Sequence, residues 1–255
     1  MRMGGAEGVA NQPIVAEFRN FTKSFGSKVV HKGVSFDLHR GECLGLLGGS
    51  GQGKSVILRS LIGLEKPDSG QVMIDGVDIV PMDEEQLIEV RKKVAYVFQN
   101  GALFDSMSVY ENLAYPLRAH TELGEDEIRE RVISQLAEFG LQGNELLSPS
   151  DLSGGMQKRV GLARSIIMQP KIVLYDEPTA GLDPYNTIRI QEMILRLKEK
   201  GVSAIFVTHD MPSAFAVCDR IALLLEGKIQ AVGTREELES QPNNKLTRFV
   251  RGLEV

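Results

Sequence analysis

The sequence predicts an α/β fold: a parallel-sheet core, an antiparallel β patch and an inserted α-helical subdomain. Three observations predict it. The apolar run Cys43 to Leu47 leads through a glycine-rich loop into a helix-like run, Val56 to Ile62. Later, short apolar runs alternate with a helix-length segment: Ile172 to Tyr175, then about Tyr185 to Lys200, then Ala204 to Thr208. From about Gln99 to Gln157 the pattern is mainly helical. Short, fully apolar strands between helices are what a parallel sheet covered on both faces requires.

The elements follow in order. Met1 to Gln12 is rich in Gly and Ala and lacks the apolar stretch of a signal peptide, so residues 1–13 read as a flexible tail. Ile14 to Phe18 and Val34 to Leu38 read as strands of the antiparallel patch. Gln71 to Ile74 is another strand, between the turn signals Pro67-Asp68-Ser69-Gly70 and Asp75-Gly76. Val94 to Phe98 is a further strand. Glu125 to Phe139 sets Ile128, Val132, Leu136 and Phe139 on one helical face and stops at Gly140, a pattern that reads as core packing. Arg220 to Leu225 and Lys228 to Val232 flank Glu226-Gly227 and predict a hairpin. One domain is expected over residues 14–245, its helical subdomain at about 99–158, with a C-terminal tail over 246–255. Internal repeats and low-complexity tracts are absent from the sequence.

Composition bounds the function. The chain has 255 residues, 42% of them apolar, enough for one domain with a sizeable core. A net charge of −5 and a pI near 5.5 argue against nucleic acid as the main partner. Cys43 and Cys218 sit in apolar contexts without a C-x-x-C pair, and read as small buried hydrophobes. No uncharged apolar run reaches the length of about 18 residues that suggests a membrane span. A membrane is therefore expected to be reached through another chain.

Two motifs carry chemistry. Gly48-Gly49-Ser50-Gly51-Gln52-Gly53-Lys54-Ser55 fits the phosphate-loop pattern G-x-x-x-x-G-K-[ST], between a strand and a helix as that loop requires. Glycines let backbone N–H groups close around phosphate oxygens, and the helix N-terminus adds positive dipole there. Lys54 is expected to reach the β- and γ-phosphates, and Ser55 to offer its hydroxyl to Mg²⁺. The second motif is Ile172-Val173-Leu174-Tyr175-Asp176-Glu177, an apolar strand ending in two carboxylates before Pro178. Asp176 is expected to orient the Mg²⁺ shell, and Glu177 to act as general base on a water attacking the γ-phosphorus.

A third motif, Leu152-Ser153-Gly154-Gly155-Met156-Gln157, precedes a helix-like run. It resembles the signature of ATP-binding cassette (ABC) ATPases, usually written L-S-G-G-Q. All three motifs stand in that family's order and spacing, and the resemblance covers about residues 14 to 235. It implies a P-loop NTPase fold with a RecA-like core, ATP and Mg²⁺ as ligands, and hydrolysis of ATP to ADP and phosphate. Residue by residue, Phe25 resembles the aromatic that stacks on adenine. Gln99 resembles the glutamine that contacts Mg²⁺ or the attacking water. Asp183, in Gly181-Leu182-Asp183-Pro184, resembles the loop that crosses between two subunits. His209 resembles the switch histidine that holds the γ-phosphate. Ser153, Gly154 and Gly155 are expected to meet the γ-phosphate of a partner subunit's ATP. His31, His39 and His120 match no motif and read as surface residues.

Two positions depart from the family pattern. Val56 stands where Thr is common, which removes one hydroxyl contact to phosphate, about 1 kcal/mol. Met156 stands where Gln is frequent, while the contacting serine and glycines are retained.

The resemblance also implies partners: a homodimer with ATP at its interface, and an integral membrane permease, expected in two copies. The ATPase would then sit in the cytoplasm, peripheral on the inner face of the cell membrane. The stretch Gln99 to Arg118 resembles that of ATPases of the Mla/Mce phospholipid-trafficking systems, especially Gly101-Ala102-Leu103-Phe104 and Asn112-Leu113-Ala114-Tyr115-Pro116-Leu117-Arg118. There, Leu103, Phe104 and Met107 are expected to line a groove for a permease helix. The same resemblance implies a lipid-binding MCE protein and, in some systems, a STAS-domain subunit. The end of the chain at Val255, soon after Phe249-Val250-Arg251-Gly252-Leu253, gives no long extension for a STAS contact. Two alternatives stay open. One is an importer ATPase for a small polar solute such as an amino acid. The other is a soluble ABC ATPase of DNA repair or translation. The latter is disfavoured because only 98 positions separate Lys54 from Leu152, too few for a long coiled-coil insertion, and because the chain holds one cassette.

Overall fold

The computed structural model describes residues 12–99 and 101–240, together with Lys245 and Arg248. The tails expected over 1–13 and 246–255 lie outside those residues except at Gln12, Pro13 and Arg248; Asn100 also lies outside them.

Two sheets organise the chain. β1 (Ile14–Phe25) and β2 (Lys28–His39) pair antiparallel, and with β4 (Ser69–Ile74) and β5 (Val77–Asp78) make a four-stranded sheet in the order β2-β1-β4-β5. β1 and β2 extend well past the apolar segments that predict them. Backbone pairing continues, with register shifts such as that between Phe21 and Thr22, through polar positions such as Thr22 opposite Lys32, which need no apolar side chain to pair. The larger sheet contains β3 (Cys43–Leu47), β6 (Val94–Val97), β7 (Ile172–Asp176), β8 (Ser203–Val207), β9 (Arg220–Leu225) and β10 (Lys228–Thr234). Its order is β10-β9-β3-β8-β7-β6, parallel throughout except for the β9–β10 hairpin.

The parallel strands divide two cores by simple alternation. Val173 and Tyr175 of β7 and Ala204 and Phe206 of β8 face the helical side. Ile172 and Leu174, with Ile205 and Val207, face the antiparallel sheet and α1 (Lys54–Ser60). Burying both faces is why these strands are apolar at nearly every position between Ser203 or Ile172 and the carboxylate or loop that ends them. Each fully buried Leu or Ile contributes about 1.5–3 kcal/mol.

α2 (Glu84–Lys93) starts at a capping box in which Asp83 Oδ1 accepts from Gln86 N at 2.9 Å and Gln86 Oε1 accepts from Asp83 N at 3.1 Å. The helical subdomain contains α3 (Val109–His120), α4 (Glu125–Glu138) and α5 (Gly154–Ile166). Ile128, Val132, Leu136 and Phe139 are all buried in its core, as their spacing of four, four and three predicts. α6 (Pro184–Glu199), α7 (Met211–Val217) and α8 (Arg235–Ser240) complete the described helices. Among the described residues, no helix is long and apolar enough to cross a membrane.

The expected groove differs in its lining. Phe104 lines a cleft of about 450 Å³ with Tyr96, Tyr115, Pro116 and Arg164. Leu103 instead packs against the helical core, and Met107 is half-buried outside the cleft. The loop turns them inward because Asn112, fully buried, binds it from within. The Asn112 carboxamide accepts from Phe104 N at 2.9 Å and donates to the carbonyls of Phe104, Met107 and Ser108 at 3.1, 3.2 and 3.0 Å.

Two histidines expected on the surface are buried: His31 is 0% exposed and His39 is 7% exposed. His120 is exposed. For His31 the reason is that β2 turns it toward Phe21, whose ring it meets edge-on at 5.3 Å, an orientation that polarity alone does not predict. Among the described residues, neither ring nitrogen of His31 has a hydrogen-bond partner. Burial holds it neutral, with its pKa pushed down to about 4. An unfolded histidine titrates near 6.5. Above that value His31 is neutral in both states and its contribution is intact. As pH falls from about 6.5 toward 4, the unfolded chain takes the proton first and stability is lost, by about 2–3 kcal/mol in full. Thermal melts of the native chain and His31→Leu at pH 7 and pH 5 are expected to differ, with the native chain losing more stability on acidification. Equal losses in the two proteins would remove His31 as the cause.

Candidate active site

β3 delivers the backbone into the loop Gly48–Gly53, and α1 begins directly at Lys54. Gly53 caps that helix with φ +88, and a Cβ there would stand 2.5 Å from Val30 Cγ1 and 2.6 Å from His31 Cε1. Only glycine fits, so the tight turn brings the loop down against β2. No side chain caps α1, so its first N–H groups remain available to an anion. The resulting cleft, about 340 Å³, is lined by Ser50, Gly51, Gly53, Lys54, Ser55, Val56, Asp176 and Glu177, among others.

Lys54 is buried and folds back on its own loop. Its Nζ donates to Gly48 O at 2.7 Å and Gly49 O at 3.0 Å. Burial lowers its pKa, while the charges of Glu177 and Asp176 oppose that shift. Ser55 Oγ donates to Asp176 Oδ1 at 3.2 Å, which joins the ends of two motifs 121 residues apart. Tyr96 OH donates to Asp176 Oδ2 at 2.7 Å. Burial first, and the Asp176 hydrogen bond second, push the Tyr96 phenol pKa up, so it stays a donor. Sequence reasoning misses Tyr96. Its only signal is register: β6 lies parallel to β7 with Tyr96 opposite Leu174, two residues before Asp176.

Glu177 sits just past the end of β7 with φ +51, a conformation that costs a non-glycine residue about 1–3 kcal/mol and recurs at functional sites. It is held there by its N–H, which donates to Val207 O at 2.9 Å. His209 follows β8, and its Nδ1 lies 2.6 Å from Glu177 Oε2. The parallel register of β7 and β8 thus places Glu177 and His209 side by side.

The residues present fit ATP with Mg²⁺. Lys54 and the uncapped helix N-terminus supply positive character. The Ser55 hydroxyl beside the Asp176 carboxylate is an all-oxygen donor set suited to Mg²⁺. Arg59 also lines the cleft, and its Nε is enclosed without a partner among the described residues.

Other expected residues stand apart from this cluster. Phe25 ends β1 half-exposed, with Lys23 Nζ 5.1 Å from its ring centroid, and does not line the phosphate cleft. Gln99 is exposed beyond β6 and makes no hydrogen bond to Ser55 or Asp176. Gln52 turns outward, its Oε1 accepting from Glu226 N at 3.0 Å. Val56 is buried in the core beneath the cleft, which explains how the loop tolerates an apolar residue there. Ser153 caps α5, its Oγ accepting from Met156 N at 3.4 Å, with Gly154 exposed beside it and Gly155 buried. Asp183 caps α6 through Asn186 N at 3.0 Å. None of these signature or loop residues lines the phosphate cleft of the same chain.

Comparison with known proteins matches this geometry to a family. The family described as ABC transporter matches residues 31–180. The chain is 40% identical over 252 residues to the probable ribonucleotide transport ATP-binding protein mkl of Mycobacterium leprae, covering 98% of this chain and 73% of that protein. It is 35% identical over 248 residues to the intermembrane phospholipid transport system ATP-binding protein MlaF of Escherichia coli K12, covering 97% and 91%. Among solved structures, the dimeric post-hydrolysis ATP-binding cassette MJ0796, bound to ADP and Pi, superposes with TM-score 0.80 at 31% identity. That match covers 86% of this chain and 98% of that one. With the phosphate loop, the Asp-Glu strand and the signature built on one α/β scaffold, the chain belongs to the ABC transporter family as an ATPase that takes ATP with Mg²⁺.

Proposed function

We propose that this ATPase energises phospholipid trafficking through a membrane permease, as one half of a homodimer that closes on ATP. The observation that carries the lipid reading is the 35% identity to the phospholipid transport ATPase MlaF over nearly the full length of both chains. The likeness to a dimeric cassette supports the homodimer. The Phe104 cleft supports a permease contact. Phe104 and Tyr115 meet edge to face at 5.3 Å, and the Arg164 guanidinium lies 5.1 Å from the Phe104 ring. Arg164 is tied down by Ala102 O at 2.8 Å and Gly101 O at 3.2 Å, so the groove is ordered before any helix enters it. Two permease copies and an MCE lipid-binding protein complete the assembly this reading expects, and some systems of this kind add a STAS-domain subunit. The ATPase would then be peripheral on the cytoplasmic face of the membrane.

In this reading Lys54 leaves the Gly48 and Gly49 carbonyls for phosphate oxygens, and Gly48 to Val56 wrap the phosphates with backbone N–H groups. Phe25 offers its ring to adenine. Ser55, Asp176 and Gln99 hold Mg²⁺, which neutralises developing phosphate charge when bound. Glu177 accepts the proton of the attacking water, and His209, whose Nδ1 lies 2.6 Å from that carboxylate, orients it and reaches the γ-phosphate. Ser153, Gly154 and Gly155 complete the partner's site, and Asp183 crosses between the subunits. Ser153→Arg is therefore expected to cut hydrolysis at least 100-fold while nucleotide binding to the monomer stays within about twofold. A fully active variant would show that no site is completed in trans.

A second reading rests on the 40% identity to mkl, which is named for ribonucleotide transport: an importer of a small polar solute. The two are separated by a pull-down with tagged Glu177→Gln from detergent-solubilised native membranes, followed by mass spectrometry of proteins and lipids. A permease with an MCE protein and phospholipid is the expected recovery. A permease with a solute-binding protein would favour the importer, and no membrane protein at all would sink both.

A further inference from the structure

Lys158 lies on α5, five residues after the signature serine, yet its ammonium leaves the helical subdomain. Its Nζ donates to Ala180 O and, at 3.3 Å, to Pro178 O. Both carbonyls belong to the segment that joins Glu177 to Asp183. That segment is already turned on itself, with Ala180 N donating to Glu177 O and Leu182 N to Thr179 O, each at 3.2 Å. A second contact ties the same two elements. A Cβ at Gly155 would stand 2.5 Å from the Asn186 carboxamide, so that side chain lies directly against the signature backbone. The Asn186 carboxamide in turn donates to Asp183 Oδ2. The signature helix is thus clasped to the Glu177–Asp183 segment at both ends of that segment.

We propose that Lys158 is a positioning residue for hydrolysis: a strut that passes movement of the signature helix to the base Glu177 of the same chain. The proposal rests on the roles given above to Glu177 and to the signature. Under those roles Ser153 grips ATP in the partner's site while Glu177 works in its own site. A strut between them makes each site sense whether the other is filled. Lysine suits the task because one ammonium serves two carbonyls at once. Its charge also lies in the field of Glu177, which raises the lysine pKa against the lowering effect of burial.

The test uses the full chain and three variants: Lys158→Met, which keeps the packing stem without donors, Lys158→Arg, which keeps donors, and Asn186→Ala. Lys158→Met is expected to lower kcat at least tenfold with KM for ATP within twofold. It is also expected to reduce the Hill coefficient toward 1. Lys158→Arg is expected to restore most of kcat. Asn186→Ala, which leaves the half-buried lysine in place, is expected to lower the Hill coefficient and serves should Lys158→Met misfold. Native kcat and Hill coefficient in both Lys158→Met and Asn186→Ala would overturn the proposal, as would a loss confined to KM. Amide exchange separates its failure from failure of the underlying reading. Faster exchange at residues 179–183 in Lys158→Met supports the strut without any turnover, and unchanged exchange refutes it. Glu177→Gln, run alongside, tests the base: full turnover there removes the base, whatever the exchange shows at 179–183.

Discussion

Glu177→Gln is expected to abolish steady-state ATP hydrolysis while preserving ATP-dependent dimerisation. The substitution keeps length and volume and exchanges a proton acceptor for a carboxamide. General base catalysis typically contributes 10²–10⁴-fold, and loss of the full contribution would leave turnover near background. Binding is expected to survive because its contacts come from other residues: Lys54, Ser55 and Asp176 keep their positions without the Glu177 carboxylate. The glutamine side chain can still stand beside His209, whose Nδ1 lies 2.6 Å from Glu177 Oε2. The strained backbone at φ +51 is imposed by the Val207 hydrogen bond and does not depend on the side chain's charge. The measurement pairs a phosphate-release assay with light scattering of the variant, with and without MgATP. Turnover within tenfold of the native chain would remove Glu177 from the base role. Lost dimerisation with intact nucleotide binding would instead assign the carboxylate to the interface.

The parts of this site that were legible in the sequence are those in which backbone geometry dictates residue type. The phosphate loop is readable because Gly53 must adopt φ +88 against Val30 and His31, so no other residue type can stand there. The strands β3, β7 and β8 are readable because both faces of a parallel sheet are covered, which leaves uninterrupted apolar runs. The helix at 125–138 is readable from one apolar stripe. Contacts made across the fold by single polar side chains leave no such trace. Tyr96 finds Asp176 through sheet register, and Lys158 finds Ala180 through the docking of one subdomain on another. His31 is misread because a lone histidine in an alternating strand carries no mark of which way its face turns. Leu103 is misread because Asn112, nine positions on, decides how the loop folds. The resting geometry was equally hidden. Motif knowledge gives Lys54 a phosphate partner, but the loop's own carbonyls hold it in this structure.

That resting geometry sets the size of the second large effect. Lys54→Ala is expected to weaken ATP binding about 100-fold. A hydrogen bond to a charged group contributes about 1.5–3 kcal/mol net, and Lys54 is placed to give up two carbonyl contacts for contacts with phosphate oxygens of far greater charge. A loss of about 2.7 kcal/mol corresponds to 100-fold in Kd. The fold itself should suffer much less. Alanine removes a buried ammonium together with the strain of desolvating it, so the two lost carbonyl bonds are partly offset, and the melting temperature of the free chain should fall by only a few degrees. This separation is what makes the variant informative. Fluorescent-nucleotide titration and a thermal melt, run on one preparation, read binding and folding independently. Unchanged affinity with native stability would show that the loop does not grip the phosphates through Lys54. Lost affinity with a collapsed melt would mean that Lys54 holds Gly48 and Gly49 in place, so that the lysine's main task is to keep the empty loop open for its ligand.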